Sequence, residues 1–317
     1  MVKFPANPGG LVLVTRARSL ASLFIGMALL TAGAHAQQST PPAQPPASAQ
    51  AAPAPPVAFE NAIPPEKLAF LNDYAGKPAS ELRKDKRFRQ LMKLAVPRTV
   101  YHYGHDLPLD EAIDTVLDGP PMPTDIRDGR YVLVSSHGGP YLRGKGFVWF
   151  DMQTGIALGG FFFRPTNGEP TPTLTIFSRQ LKAESMAMSQ LPLPFAEDLA
   201  QWALVTGVPA VTPRYFIPDN GKKYVLIHDE DYCSSAAGAP APDQNACEQM
   251  NFAAADADFN AADFMAQTGN RANATAWMLE PQQMAWITVR DQTCGAGLGC
   301  RIRMTRERTR IILRQHS

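Results

Sequence analysis

The sequence predicts an α+β fold: an antiparallel-sheet domain with flanking helices, followed by a small disulfide-bonded three-helix domain. Three observations carry that reading. Short apolar runs bounded by turn residues recur between Tyr131 and Ile227, as strands do. Apolar residues at near-helical spacing precede and interrupt those runs, at Ser80–Leu94 and Phe195–Val205. All four cysteines fall in the last 85 of the 317 residues, where the pattern is helical.

The chain opens with what reads as a secretory signal over residues 1–36. Lys3, Arg16 and Arg18 form a positive start, Leu20–Leu30 is a short apolar run, and Ala34-His35-Ala36 supplies small residues around a cleavable bond. The run is shorter than the roughly 20 apolar residues a membrane span needs, so no stable span is expected after cleavage. The expected location is periplasmic. Residues 37–58 are almost wholly Gln, Pro, Ala and Ser. Such a segment buries too little apolar surface to offset its ordering entropy and is expected to be a solvated tether.

An α+β domain is expected over 59–231. Pro65–Tyr74 reads as a short helix with Leu68, Phe70 and Leu71 inward, and Ser80–Leu94 as a second, carrying Leu82, Phe88, Leu91 and Leu94. Strands follow at Tyr131–Val134, Phe147–Phe150 and Ile156–Phe163, the last two joined by the turn Asp151–Gly155. Leu174–Phe177 is another strand. Phe195–Val205 is a helix with Leu199, Trp202 and Ala203 inward, and Tyr224–Ile227 is a last strand.

A helical domain is expected over 232–317. Phe252, Phe259 and Phe264 share one apolar stripe. A second helix runs to about Thr293 with Trp277, Met278, Met284, Trp286 and Ile287 facing the core. A third follows Cys300, with Ile302, Thr305, Thr309 and Ile312 at three- to four-residue spacing. Three short helices form a core small enough to need covalent help. Cys233, Cys247, Cys294 and Cys300 are separated by 13, 46 and 5 residues with no histidine between the first and last. That is not metal-ligand spacing, and an even number in an exported chain implies disulfides, for which three connectivities exist.

Composition and motifs exclude several classes. Removing the signal takes away three of 30 basic side chains and none of 29 acidic ones, leaving a net charge of −2. A nucleic-acid binder needs a strong positive field, so none is expected. His102 with His105, and His228 beside Asp229, Glu230 and Asp231, lack a third ligand at a recognisable spacing, so neither a metal nor any other cofactor is expected. No hydrolase elbow, zinc-protease helix, phosphate loop or complete glycine fingerprint occurs, and the expectation is a protein that is not an enzyme. The arginines from Arg301 to Arg314 make a basic last helix, read as a solvated face.

The string Gln283-Met284-Ala285-Trp286-Ile287-Thr288-Val289-Arg290-Asp291-Gln292-Thr293-Cys294 resembles the AQ-x-AW-x-x-x-RD-x-x-C core of LprI-type lysozyme inhibitors. Cys300 with Thr305, Arg308 and Ile312 resembles that family's closing pattern. Cys247 and Ala255-Asp256-Ala257-Asp258-Phe259-Asn260 resemble its upstream segment. Two departures stand out: Pro281 where a helix-former is usual, and only Gly295–Gly299 between the last two cysteines. The motif residues Asn260, Gln283, Trp286, Arg290, Asp291, Thr305 and Arg308 need no catalytic role. Trp286 can plug a three-helix core, Arg290 and Asp291 fall near a helix end, and an interhelical polar clasp with Thr305 and Arg308 is expected. A helical hairpin sets the start of the first helix beside the end of the second. That arrangement favours bridges from the Cys233/Cys247 pair to the Cys294/Cys300 pair over one local bridge within each.

The order strand, ten-residue loop, strand, tight turn, strand over Tyr131–Phe163 resembles the inhibitory region of Ivy-type lysozyme inhibitors. There a disulfide-bound loop carrying a histidine plugs the lysozyme cleft. The loop here runs from His137 through Gly138, Gly139, Pro140 and Tyr141 to Gly146, without a cysteine, and its histidine is not at the family's position. The constraint that pre-organises such a loop is therefore missing.

These resemblances imply a periplasmic binding protein that inhibits a lysozyme or another muramidase. Lysozymes are commonly basic, so Asp256, Asp258 and Asp263, or Asp229–Asp231, would supply the attraction, with His137–Tyr141 as a second contact. The alternative is an envelope structural or adaptor protein that holds a protein or glycan and inhibits nothing.

Overall fold

The computed structural model describes residues 59–102, 105–120, 122–136, 144–163, 172–208, 213–234, 241–269 and 276–316. The expected signal and tether, and the loop residues His137, Gly138, Gly139, Pro140 and Tyr141, lie outside them. Among the described residues no helix is long and apolar enough to cross a membrane.

Two 3-10 turns, Pro65–Lys67 and Ala69–Tyr74, stand where a single short helix was expected. Leu68, Phe70 and Leu71 are buried there. The expected second helix is two: α1 (Ala79–Leu82) and α2 (Lys86–Ala95). Asp85 divides them because its carboxylate accepts the Arg87 backbone N–H at 2.7 Å, starting a new helix. Phe88 and Leu91 face inward, while Leu94 is exposed. A small hairpin follows, β1 (Val100–His102) with β2 (Asp106–Pro108), then α3 (Leu109–Leu117).

The main sheet comprises β3 (Asp125–Arg127), β4 (Tyr131–Ser136), β5 (Lys145–Asp151), β6 (Ile156–Phe163), β7 (Thr173–Phe177), β8 (Met186–Ala187), β9 (Pro213–Ile217) and β10 (Tyr224–Ile227). The spatial order is β3-β4-β5-β6-β7-β9-β10-β8. Pairing is antiparallel except at β7–β9 and at β8–β10, which are parallel. Between β8 and β9 runs α4 (Leu193–Thr206), closed by Gly207 in the left-handed conformation.

Strand alternation feeds two cores. Val148 and Phe150 of β5 face α1–α3, together with Val132, Val134, Phe161 and Phe177. Phe147 and Trp149 face the other side, where α4 inserts Phe195, Leu199 and Trp202. Both faces of the sheet are thus covered, and β5 from Phe147 to Phe150 and β6 from Ile156 to Phe163 read as unbroken apolar runs rather than alternating with polar residues. Two adjacent glycines make the packing possible. Gly159 pairs with Phe177 and Gly160 with Phe147, and each ring lies over its glycine: a Cβ would come within 2.1 Å and 2.3 Å of them.

The Asp151–Gly155 turn is held by charge as well as backbone. Gly155 has φ +73°, and a Cβ there would meet the Ile63 carbonyl. Burial alone would raise the Asp151 carboxyl. The Arg130 guanidinium at 2.7 Å, the Thr154 hydroxyl and two backbone N–H groups outweigh it and bring the carboxyl down to about 2. A depressed carboxyl stabilises the fold above its unfolded value and loses that contribution as pH falls through the folded one. Stability is therefore expected to drop by about 1–2 kcal/mol between roughly pH 4 and pH 2 through this group. In Asp151→Asn that acid-dependent part should disappear from denaturation midpoints; an unchanged acid slope would show that other groups set it.

The helical segment consists of α5 (Gln244–Gly269), α6 (Ala276–Cys294) and α7 (Leu298–His316). It joins the sheet rather than standing apart. Tyr215 and Val225 point to the face that carries α1–α3, and there they meet Phe259, Ala262, Ala266 and Ile312. Seven elements have no counterpart in the pattern reading: β1, β2, α3, β3, the edge strand β8, a 3-10 turn at Met188–Gln190, and β9, which supplies the parallel pairing with β7.

Candidate functional site

Helix α5 begins at Asp243, whose carboxylate accepts the Ala246 backbone N–H at 2.8 Å. Its inward face carries Ala254, Ala255, Ala261, Ala262 and Ala266, with Phe259 as the one large residue. Small side chains at three- and four-residue intervals let α7 approach closely, through the buried Thr305, Thr309 and Ile312. Helix α6 contains Pro281 and closes the third side. Met284, expected in the core, is instead exposed, as is Val289. The reason is that only Gln283, Trp286, Ile287 and Arg290 of that stretch turn toward α5 and α7. Side chains at 276–280, including Trp277 and Met278, lie outside the described set.

The motif residues of the resemblance meet in space. Arg290 is buried at 5 % exposure. It donates to the Thr305 hydroxyl at 3.1 Å and to Asp291 at 2.9 Å, and its guanidinium lies 3.4 Å from Asp256. The same guanidinium sits over the rings of Phe252 and Trp286, at 5.3 and 5.5 Å. Arg308 donates to Gln283 at 3.0 Å and lies 6.0 Å from the Trp286 ring. Trp286 packs on Phe259 at 5.1 Å, and Asn260 donates to Asp256 at 3.2 Å. The Arg290 hydrogen bond holds the Asp291 carboxyl below its ordinary value. The seven residues thus tie three helices together through one arginine–tryptophan cluster. The arrangement locks a shape; it presents no nucleophile.

The disulfides correct an expectation. The bridges are Cys233–Cys247 and Cys294–Cys300, one within each pair, not between pairs. Cys233 sits in the turn after Asp231, held by its N–H to the Asp231 carboxylate at 3.0 Å, and Cys247 lies in the first turn of α5. Cys294 ends α6 and Cys300 lies in the first turn of α7. Each turn brings its own two Cα atoms to 5.0 and 5.5 Å, within disulfide reach.

A second cluster lies where the helices meet the sheet. His228 follows β10 and is 2 % exposed. Asp258 of α5 accepts both its backbone N–H, at 2.8 Å, and the ring Nδ1, at 2.6 Å. Burial raises the Asp258 carboxyl, and His228 opposes that shift. Burial also raises Glu230, and it pushes the Tyr232 phenol up to about 12, aided by Glu230 and Asp258. Asn251 bonds Asp231 at 2.8 Å and the Tyr232 N–H at 3.0 Å, fixing the chain as it leaves the sheet.

This geometry rearranges the acids expected at the surface. Asp258 is an internal carboxylate, with one bond from His228 on each oxygen. Asp263 is bonded to Gln267 at 2.7 Å, while Asp256 is half-exposed beside Arg290. Asp229 is engaged by the Ser189 backbone N–H at 3.1 Å and by the Ser189 hydroxyl. Pattern reasoning noticed His228 but not its partner. The available signal was a carboxylate among inward alanines, one helical turn from Ala254 and from Ala261. The Gly-rich loop joins β4 to β5, which pair as far as Ser136 and Gly146. Elsewhere, a groove of about 860 Å3 runs between α2 and α3, with Arg83, Lys84, Arg89 and Lys93 facing Asp110, Glu111, Asp114 and Asp118.

Comparison with curated proteins finds no match, and comparison with solved structures finds none either. Residues 233–311, the segment that holds both disulfides and the arginine–tryptophan cluster, match the family described as Lysozyme inhibitor LprI.

Proposed function

We propose that this is a periplasmic, non-enzymatic protein that binds and inhibits a lysozyme-like muramidase. The observation that carries the reading is the family match over 233–311, in a segment whose motif side chains serve to hold a rigid three-helix shape. Rigid elements present a contact surface at little entropic cost. The outward face of α6 suits such a contact: Met284, Ala285, Thr288 and Val289 are exposed there, with Asp256 and Asp291 half-exposed nearby. An apolar centre with an acidic rim fits a basic partner enzyme.

Mature protein added to a lysozyme turbidity assay, at concentrations on the order of tens of micromolar, should slow lysis. Val289→Asp should weaken that inhibition about tenfold or more with little change in melting temperature, since more than half of the residue's surface is exposed. Undiminished lysis at both low and moderate salt would remove inhibition of the enzymes tried. The adaptor reading has one observation in its favour. The sheet body over 59–231 lies outside the matched residues and carries its own charged groove. Recovery of a non-enzymatic envelope partner under non-reducing conditions, with lysis unaffected, would favour it.

A further inference from the structure

A cleft of about 440 Å3 opens between the β8–β10 edge of the sheet and α7, floored by the His228–Asp258 pair. That volume is in the range of small-molecule sites. Its walls are mainly apolar, with Met186, Ile227 and Leu313, and its charged side is α7, with Arg306, Arg310 and Arg314 one turn apart.

The polar groups of this cleft are unevenly used. Asp258 has both oxygens on His228, and Asp229 has both on Ser189. Each of these carboxylates thus already accepts from the protein on both oxygens. The Arg306 guanidinium is less well supplied. Nε and Nη2 of Arg306 are buried with no hydrogen-bond partner among the described residues. Buried donors without partners are costly, and more so when charged. Arg306 also lines the cleft, so an oxyanion seated there lies beside this undersupplied guanidinium.

We propose that this cleft binds a small organic anion, with a carboxylate or phosphate head on Arg306 and an apolar body against Met186, Ile227 and Leu313. The planar guanidinium is suited to a bidentate oxyanion. Arg310 and Arg314, each paired with Glu307 across the helix, add positive potential at the mouth. Because β8, β10, α5 and α7 all line the cleft, an occupant would join the sheet to the helical segment. The inference does not depend on muramidase binding.

The test uses the mature chain with hexyl phosphate, and with hexanol and hexyltrimethylammonium as uncharged and cationic counterparts. Hexyl phosphate at millimolar concentration should raise the melting temperature and slow hydrogen exchange at 185–190, 226–230 and 306–314. The two counterparts should do neither. Inorganic phosphate should bind more weakly, since it lacks the apolar body. Arg306→Gln should weaken hexyl phosphate binding about tenfold or more. Should that variant fail to fold, the wild-type exchange map still decides. Equal shifts from the cationic probe, no shift at all, or protection appearing instead on the basic bank of the α2–α3 groove would each overturn the proposal.

Discussion

Replacing Asp258 with alanine is expected to destabilise the protein by about 2–5 kcal/mol, the cost of leaving two buried hydrogen-bonding groups without their partner. Two hydrogen bonds are lost at once, from the His228 backbone and from its ring, and both donors stay buried. Domains of this size have only about 5–15 kcal/mol in total, so the variant should sit near its unfolding transition at ambient temperature. Denaturant midpoints give the number. The double variant His228→Leu with Asp258→Leu should lose less than Asp258→Ala, because the ring nitrogen is removed with its partner and only the backbone N–H at position 228 is left without one. A loss below about 1 kcal/mol for the single variant would mean that the pair is hydrated and not part of the core.

Reduction of both disulfides is expected to have a comparable effect, confined to one region. Closing loops of 14 and 6 residues restricts the unfolded chain by about 3 and about 2 kcal/mol respectively. All of it acts on 233–300. The loss should appear in hydrogen exchange as faster opening of α5, α6 and α7. It should extend to β9 and β10, because Tyr215 and Val225 share a core with Phe259 and Ile312. Strands β4–β7 contain no cysteine and are packed by α1–α4, and they should stay protected. Unchanged exchange in the helices would show that the helical packing is sufficient without the bridges. Equal loss across β4–β7 would show that sheet and helices open as one unit.

Local pattern alone determined much of this protein. Ile156–Phe163 and Tyr224–Ile227 were legible to the residue, since a strand's period and its turn residues are properties of neighbours in sequence. So were the helical stripe of Thr305, Thr309 and Ile312 and the family motif around Trp286, whose residues lie within single helices. Asp85 was legible in principle as a cap, and it divides α1 from α2 for that local reason. The tertiary structure alone decided the pairing of β7 with β9, the exposure of Met284, the partners of the four cysteines, and the placing of Asp258 beside His228. The strand pairing, the exposure of Met284 and the placing of Asp258 depend on which segments meet far apart in sequence, and the bridges on how each local turn brings its own two cysteines together. An aspartate at position 258 has the same local chemistry whether it faces solvent or a histidine. Only the packing of α5 on β10 chooses between them, and that packing is set by Tyr215, Val225 and Phe259 burying one another.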